Sequence, residues 1–104
     1  VITEFGNGKY EVSNLGRVRS NAYGRYTIMK YSLNPQGKPQ VNFTDEHSKK
    51  LTRTIESLVC RYHLNYIVPR RNVPANQRIM YRNGNREDVR IENLILPIVN
   101  RKIA

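Results

Sequence analysis

Tyr10-Glu11-Val12-Ser13-Asn14-Leu15-Gly16-Arg17-Val18-Arg19-Ser20 is two short runs of alternating polar and apolar residues joined by Asn14-Leu15-Gly16. Alternation of period two is the pattern of a half-buried strand, and Asn and Gly between such runs mark a turn. The stretch therefore predicts a hairpin. Strand side chains repeat every two residues, so packing Val18 inward puts Arg17 and Arg19 together on the opposite face. Two guanidinium groups on one exposed strand face make a ridge suited to phosphate. The same charges would also guard an edge strand against aggregation, so the pattern alone leaves both readings open.

The rest of the chain extends this β pattern. Tyr26-Thr27-Ile28-Met29-Lys30-Tyr31 predicts another strand segment, and Gln40-Val41-Asn42-Phe43-Thr44 alternates cleanly. Asn34-Pro35-Gln36-Gly37-Lys38 and Asp45-Glu46-His47-Ser48 are turns. Residues 50–55 return as a hairpin partner. Ile55, Leu58, Val59 and Tyr62 recur at helical spacing, with Thr54 placed to cap the helix. Residues 66–77 read as a loop holding Pro69, Pro74 and the pair Arg70-Arg71. Residues 79–81 predict a short strand, Gly84 a turn, and Ile91-Glu92-Asn93-Leu94 the start of a return whose second strand is Ile95-Leu96-Pro97-Ile98. The fold class is α+β. A small antiparallel β-rich module, 1–52, packs on a helix near residues 55–64, and a hairpin-bearing module, 53–104, follows. Neither half has enough apolar residues to stand alone. One core is therefore expected from Val12, Val18, Val41, Phe43, Ile55, Leu58, Val59, Ile79 and Leu94.

Charge is the strongest compositional signal. The 104 residues carry a net charge of +10 with 38% hydrophobic content and no Trp. The isoelectric point of about 10.2 lies in the range typical of nucleic-acid binders. Residues 53–104 hold nine arginines and one lysine. Arginine offers a planar fork of donors that matches phosphate and guanine edges, whereas a merely soluble surface would be served as well by lysine. The expected contacts are Arg17, Arg19, Arg25, Lys30, Arg53, Arg70, Arg71, Arg82, Arg86 and Arg90. Tyr23, Tyr26, Tyr31, Tyr62, Tyr66 and Tyr81 lie among them. Most are expected in the core, and any that are exposed would stack on bases.

Other classes are disfavoured. The single Cys60 excludes a disulfide framework and a cysteine-rich zinc site. It fits a reducing intracellular compartment (cytoplasm, nucleoid or organelle matrix) and reads as a buried, inert thiol. No apolar run approaches the roughly 20 residues that span a bilayer, so no membrane role is expected. Val1-Ile2-Thr3-Glu4 shows no signal-peptide pattern, and without an initiator Met targeting stays open. His47 sits in a polar turn and His63 on the helix, a separation without metal-ligand spacing. Glu87, Asp88 and Glu92 read as partners for Arg86 and Arg90 rather than as a metal site. No metal and no other cofactor is expected.

Ile79-Met80-Tyr81-Arg82-Asn83-Gly84-Asn85 followed by Ile91-Glu92-Asn93-Leu94 supplies the second motif. With Tyr10–Ser20 it resembles the HNH homing endonucleases that carry a nuclease-associated modular DNA-binding domain. In that family the second motif runs close to V/I-N-H-I-D-G-N, then E-N-L. The resemblance covers nearly the whole chain, and it implies a phage or mobile-element origin. It also implies that residues 53–104 form a ββα-metal hairpin.

The family's chemistry needs a histidine to deprotonate water, and a metal held by oxygen or nitrogen ligands to stabilise charge on the scissile phosphate. Here the general-base position falls on Tyr81, whose phenol ordinarily loses its proton near pH 10. The ligand before it is Met80, a soft thioether poorly suited to magnesium. Asn83 stands for the acidic residue, and Glu56 for the histidine that opens the helix. The family's closing helix would follow Ile98, where a basic tail without His remains. Gly84, Asn85, Asn93 and Leu94 survive, Asn93 at the position that orients the base. The resemblance thus implies a degenerate nuclease, not an enzyme, that holds duplex DNA or structured RNA. A subunit of a ribonucleoprotein, polymerase or other larger protein assembly is the alternative, and an active nuclease with a rewired site is a third reading.

Overall fold

The computed structural model describes residues 1–3, 5–22, 24–68 and 78–97. The strands are β1 (Tyr10–Val12), β2 (Val18–Ala22), β3 (Arg25–Ile28), β4 (Ser32–Leu33), β5 (Pro39–Thr44), β6 (Lys50–Thr54), β7 (Met80–Tyr81) and β8 (Leu94–Ile95). Among the described residues one helix, α1 (Ile55–His63), follows β6, and 3-10 turns occupy Gly6–Gly8 and Ile91–Asn93. The strands form three antiparallel sheets, β1-β2-β3, β4-β5-β6 and β7-β8. This is the α+β architecture expected, with the β-rich first part packed on the helix. Arg70 and Arg71, Tyr23 and the tail after Pro97 lie outside the described residues.

One piece of local chemistry builds three of the hairpin turns. Ser13, Asn34 and Asp45 each accept, on a side-chain oxygen, the backbone N–H groups two and four residues on. These are Leu15 and Arg17 for Ser13 (3.2 Å each), Gln36 and Lys38 for Asn34 (2.9 Å each), and His47 and Lys49 for Asp45 (2.8 Å each). The residue three positions on takes positive φ: Gly16 at 76°, Gly37 at 77° and Ser48 at 61°. Such loops, a type I turn closed by a left-handed residue, match the twist of the strands they join.

The core follows from the alternation. β5 reads buried at Pro39, Val41 and Phe43, with Asn42 and Thr44 exposed. Val12 faces Val18 across β1 and β2. The rings of Phe5, Tyr10 and Phe43 meet with centroids 4.8–6.0 Å apart. Tyr10 also ties the first sheet to the second, because its hydroxyl donates to the Thr44 carbonyl (2.9 Å) and accepts the Thr44 N–H (3.2 Å). Those backbone groups would otherwise be unsatisfied near the core.

α1 starts where Thr54 accepts the Ser57 N–H on its side-chain oxygen (3.3 Å), as a capping threonine does. Its inner face is Ile55, Leu58, Val59 and Cys60, each at most 3% exposed. Burial pushes the Cys60 thiol up to about 12, well away from a reactive thiolate. All nine expected core residues lie in one buried cluster drawn from both halves of the chain, joined by Ile2, Phe5, Tyr10, Cys60 and Val89.

The first hairpin turn docks on the last loop. A Cβ built on Gly16 would stand 2.6 Å from Val89 Cγ2 and 3.0 Å from the Val89 carbonyl oxygen. Beside it the Ile91 N–H donates to the Asn14 carbonyl at 2.8 Å. Glycine is thus required there twice, for its positive φ and for close backbone approach.

Two strands end earlier than the sequence pattern suggests. The segment from Tyr26 stops at Ile28, after which the chain crosses to the second sheet and pairs Ser32 with Gln40. Residues 91–93 form a 3-10 turn and the return strand is Leu94–Ile95, without Leu96 and Pro97; Ile98 lies outside the described residues. Pro97 has no N–H to continue that ladder.

Candidate nucleic-acid interface

The C-terminal hairpin places the motif positions against one another. Tyr81 pairs with Leu94 and Met80 with Ile95. Asn93 is 4% exposed and pins the loop between the strands. Its Oδ1 accepts the Asn83 N–H (3.1 Å), its Nδ2 donates to the Asp88 carbonyl (2.8 Å), and its carbonyl accepts the Arg82 N–H (2.9 Å). The orienting position of the resemblance therefore sits against the hairpin loop, as expected of that motif.

Tyr81 and Glu56, the positions the resemblance gives to two histidines, are in contact. The Tyr81 hydroxyl donates to Glu56 Oε2. Lys38 Nζ lies 3.3 Å from Glu56 Oε1. Glu56 is 2% exposed. Burial raises its pKa above the usual carboxylate range, opposed by the nearby positive charges of Lys38 and Arg86. Met80, at the ligand position, is 64% exposed. This donor set does not suit a hard divalent cation: a thioether, a phenol held by a carboxylate, and a carboxylate held by an ammonium. Among the described residues no group of three His, Cys, Asp or Glu side chains could hold a metal.

The predicted basic residues fall into two groups. Arg17, Arg19, Arg25 and Lys30 are exposed on or beside the first sheet. Strand pairing sets Glu11, Arg19 and Ile28 on its outer face, and Tyr26 joins them two residues from Ile28. The Arg19 guanidinium lies 3.9 Å from the Tyr26 ring centroid and pairs with Glu11 through Nε. Tyr26 and Ile28 are 58% and 61% exposed although both are large. Arg25 alternates to the other face, opposite Ala22.

The second group is more engaged. Arg82 Nε donates to the Glu92 carbonyl (3.1 Å), and Arg86 Nη1 donates to the Gln36 carbonyl (3.0 Å). Arg86 thus bridges to the β4–β5 turn instead of meeting an acid, as the sequence reading had it. Arg90 is held by both Asp88 oxygens and by Glu92, all at 2.8 Å. That pairing holds the half-buried Asp88 carboxyl down to about 2. Arg53 is half-buried, with its guanidinium carbon 5.7 Å from the Phe5 centroid.

Tyr26 and Tyr31 are exposed, whereas Tyr62, Tyr66 and Tyr81 pack against the core. His47 is solvent-facing, and the His63 ring meets the Val12 carbonyl at 2.8 Å. Sequence reasoning missed two features. Lys38 closes onto Glu56 from 18 residues away, and no periodicity signals it. The Arg19–Tyr26 stack was readable in principle, since both residues alternate onto one strand face.

Residues 2–44 match the NUMOD4 motif, a segment that runs from the first buried residue to the end of β5. Among curated proteins none matches the chain. The fold is similar to that of a solved structure described as "DNA binding and cleavage by the HNH homing endonuclease I-HmuI", with a TM-score of 0.61 and 22% identity. The match covers 84% of this chain and 45% of that one, so this chain spans about half the length of that endonuclease. The resemblance read from the two motifs is supported: residues 2–44 match the NUMOD4 motif, and most of the chain shares its fold with part of an HNH homing endonuclease.

Proposed function

We propose that this chain holds nucleic acid, duplex DNA in the first place, without cutting it. The observation that carries the second half of this reading is the Tyr81–Glu56–Lys38 set. A nuclease of this class needs a free base beside a hard metal. Here the phenol at the base position already donates to a buried carboxylate, and that carboxylate is matched by an ammonium. A phenol is a poor base at neutral pH, and without metal-ligand chemistry the larger electrostatic part of catalysis is missing.

Binding is supported by different features. The chain carries a net charge of +10. It contains a NUMOD4 motif, and its structural relative binds and cleaves DNA. The exposed outer face of the first sheet offers Arg19 already stacked and oriented by Tyr26 and Glu11. Preorganised arginines lose less freedom on meeting phosphate. Arg17 and Lys30 are exposed close to that face and Arg25 on the opposite one, whereas Arg90 is neutralised by its own acids.

The test is the salt dependence of duplex binding. Removing a residue that neutralises one phosphate flattens the slope of log affinity against log salt by about one unit. Arg17→Ala and Arg19→Ala should each do so, and Arg90→Ala should not. Affinity indifferent to salt contradicts the reading, and a preference for structured RNA over duplex would redirect it.

A further inference from the structure

The outer face of the second sheet carries amides and hydroxyls where the first carries an arginine and two large apolar side chains. Residues opposite one another on paired strands share a face. The pairings Gln40 with Thr54, Asn42 with Thr52 and Thr44 with Lys50 therefore set six polar side chains outward, while Val41 and Phe43 face the core. None of the six is an acid. Asn42 is exposed near the middle of β5, although asparagine fits strands poorly. Its amide is held from the neighbouring strand, because the Thr52 hydroxyl donates to Asn42 Oδ1 at 2.8 Å. That bond fixes which end of the amide is the oxygen. It leaves the second lone pair of Oδ1 and the Nδ2 protons without a partner among the described residues. The acids of the adjoining turn are engaged elsewhere, Asp45 with the N–H groups of His47 and Lys49 and Glu46 with the Gly6 N–H.

From this arrangement we infer that the β5–β6 hairpin reads an adenine in duplex DNA, with Asn42 contacting the base and Thr52 positioning its amide. The inference rests on the reading that the chain holds duplex DNA, and adds which base is read and by which surface. Adenine presents its N6 donor beside its N7 acceptor, and one side-chain amide meets both at once. Both atoms lie on the major-groove edge, and that groove, about 12 Å wide, admits a two-stranded β-ribbon. Lys50, on the same face one pair further along, is placed for a backbone phosphate. Such a contact fixes register without carrying sequence. Arg19 offers donors only, which suit phosphate or guanine. An adenine edge needs the donor and acceptor that Asn42 holds ready.

Selection of bound duplexes from a random-sequence pool by the full chain tests it. The bound pool should share a fixed adenine. Replacing that adenine by 7-deazaadenine, which lacks the N7 acceptor, should weaken binding about fivefold or more. Asn42→Ala, at an exposed position, should bind the two duplexes alike. Its slope of log affinity against log salt should match the parent's, because a neutral amide neutralises no phosphate. Thr52→Val keeps the shape of the side chain and removes the hydroxyl, and should shrink the discrimination at the same slope. A pool without a fixed adenine, or a discrimination that survives Asn42→Ala, overturns the inference. A discrimination unchanged in Thr52→Val overturns the positioning role of Thr52. If duplex binding stays salt-dependent in those cases, only the base reading fails, whereas no duplex binding at all overturns both readings.

Discussion

The Tyr81 hydroxyl donates to the Glu56 carboxylate and so ties the first strand of the C-terminal hairpin to the first turn of α1. Glu56 is buried beside the apolar residues that hold the helix to the sheets. A carboxylate in that position needs its partners, and it has two, Tyr81 on one oxygen and Lys38 on the other. The two positions that the resemblance gives to histidines thus act as a structural tie.

Tyr81→Phe keeps the ring and deletes the donor. Leaving a buried acceptor short of a partner costs about 1–3 kcal/mol. Urea unfolding at neutral pH should show a loss of that size with an unchanged slope. A loss near zero would mean that the hydroxyl is not holding Glu56.

The same pair sets a pH dependence. The folded pKa of Glu56 is raised by burial above its ordinary value of 4.5, so the folded state keeps this proton to higher pH than the unfolded chain. Stability from this group is therefore greatest below the ordinary value and is lost as pH rises through the raised one. Glu56→Gln cannot titrate. Its thermal midpoint relative to the parent should rise as pH increases above the ordinary carboxyl value of 4.5, in the direction set by that upward shift. A difference that stays flat or falls with pH would contradict the assignment.

Gly16→Ala tests the junction between the first hairpin and the last loop. The new methyl meets Val89, including its backbone, at a residue whose φ is 76°. The left-handed conformation alone costs a non-glycine residue about 1–2 kcal/mol, and the clash adds to it. Calorimetry should show one transition at lower temperature. An unchanged midpoint would mean that the two parts are not packed as described.

Leu58 is 1% exposed at the centre of the shared core. Leu58→Ala should cost about 2–5 kcal/mol, and sheet and helix signals should be lost together. Two separate transitions would show that the halves have independent cores.

Local rules made much of this fold readable from the chain. The hairpin at Tyr10–Ser20 rests on alternation plus a Ser13 turn, and α1 on spacing plus the Thr54 cap. Both are settled by neighbours within a few residues. Ile2, Phe5 and Val89 were not foreseen in the core because each stands outside any periodic run. Tyr10 was passed over because its burial depends on Thr44, 34 residues away, accepting and donating at its hydroxyl. At the candidate site, Asn93 could be placed against its loop because the motif is compact. The Tyr81–Glu56 contact joins residues 25 apart and Glu56–Lys38 joins residues 18 apart. The two motifs drew attention to Tyr81 and Glu56 separately, but only packing shows that they meet.

The most direct test of binding without cleavage is fluorescence anisotropy of an end-labelled DNA duplex titrated with the protein in magnesium, with the recovered strands sized on a denaturing gel. The account predicts saturable binding at low salt that weakens steeply as salt rises, and strands of full length. Absence of binding at low salt, or shortened strands that disappear with Tyr81→Phe, would contradict it.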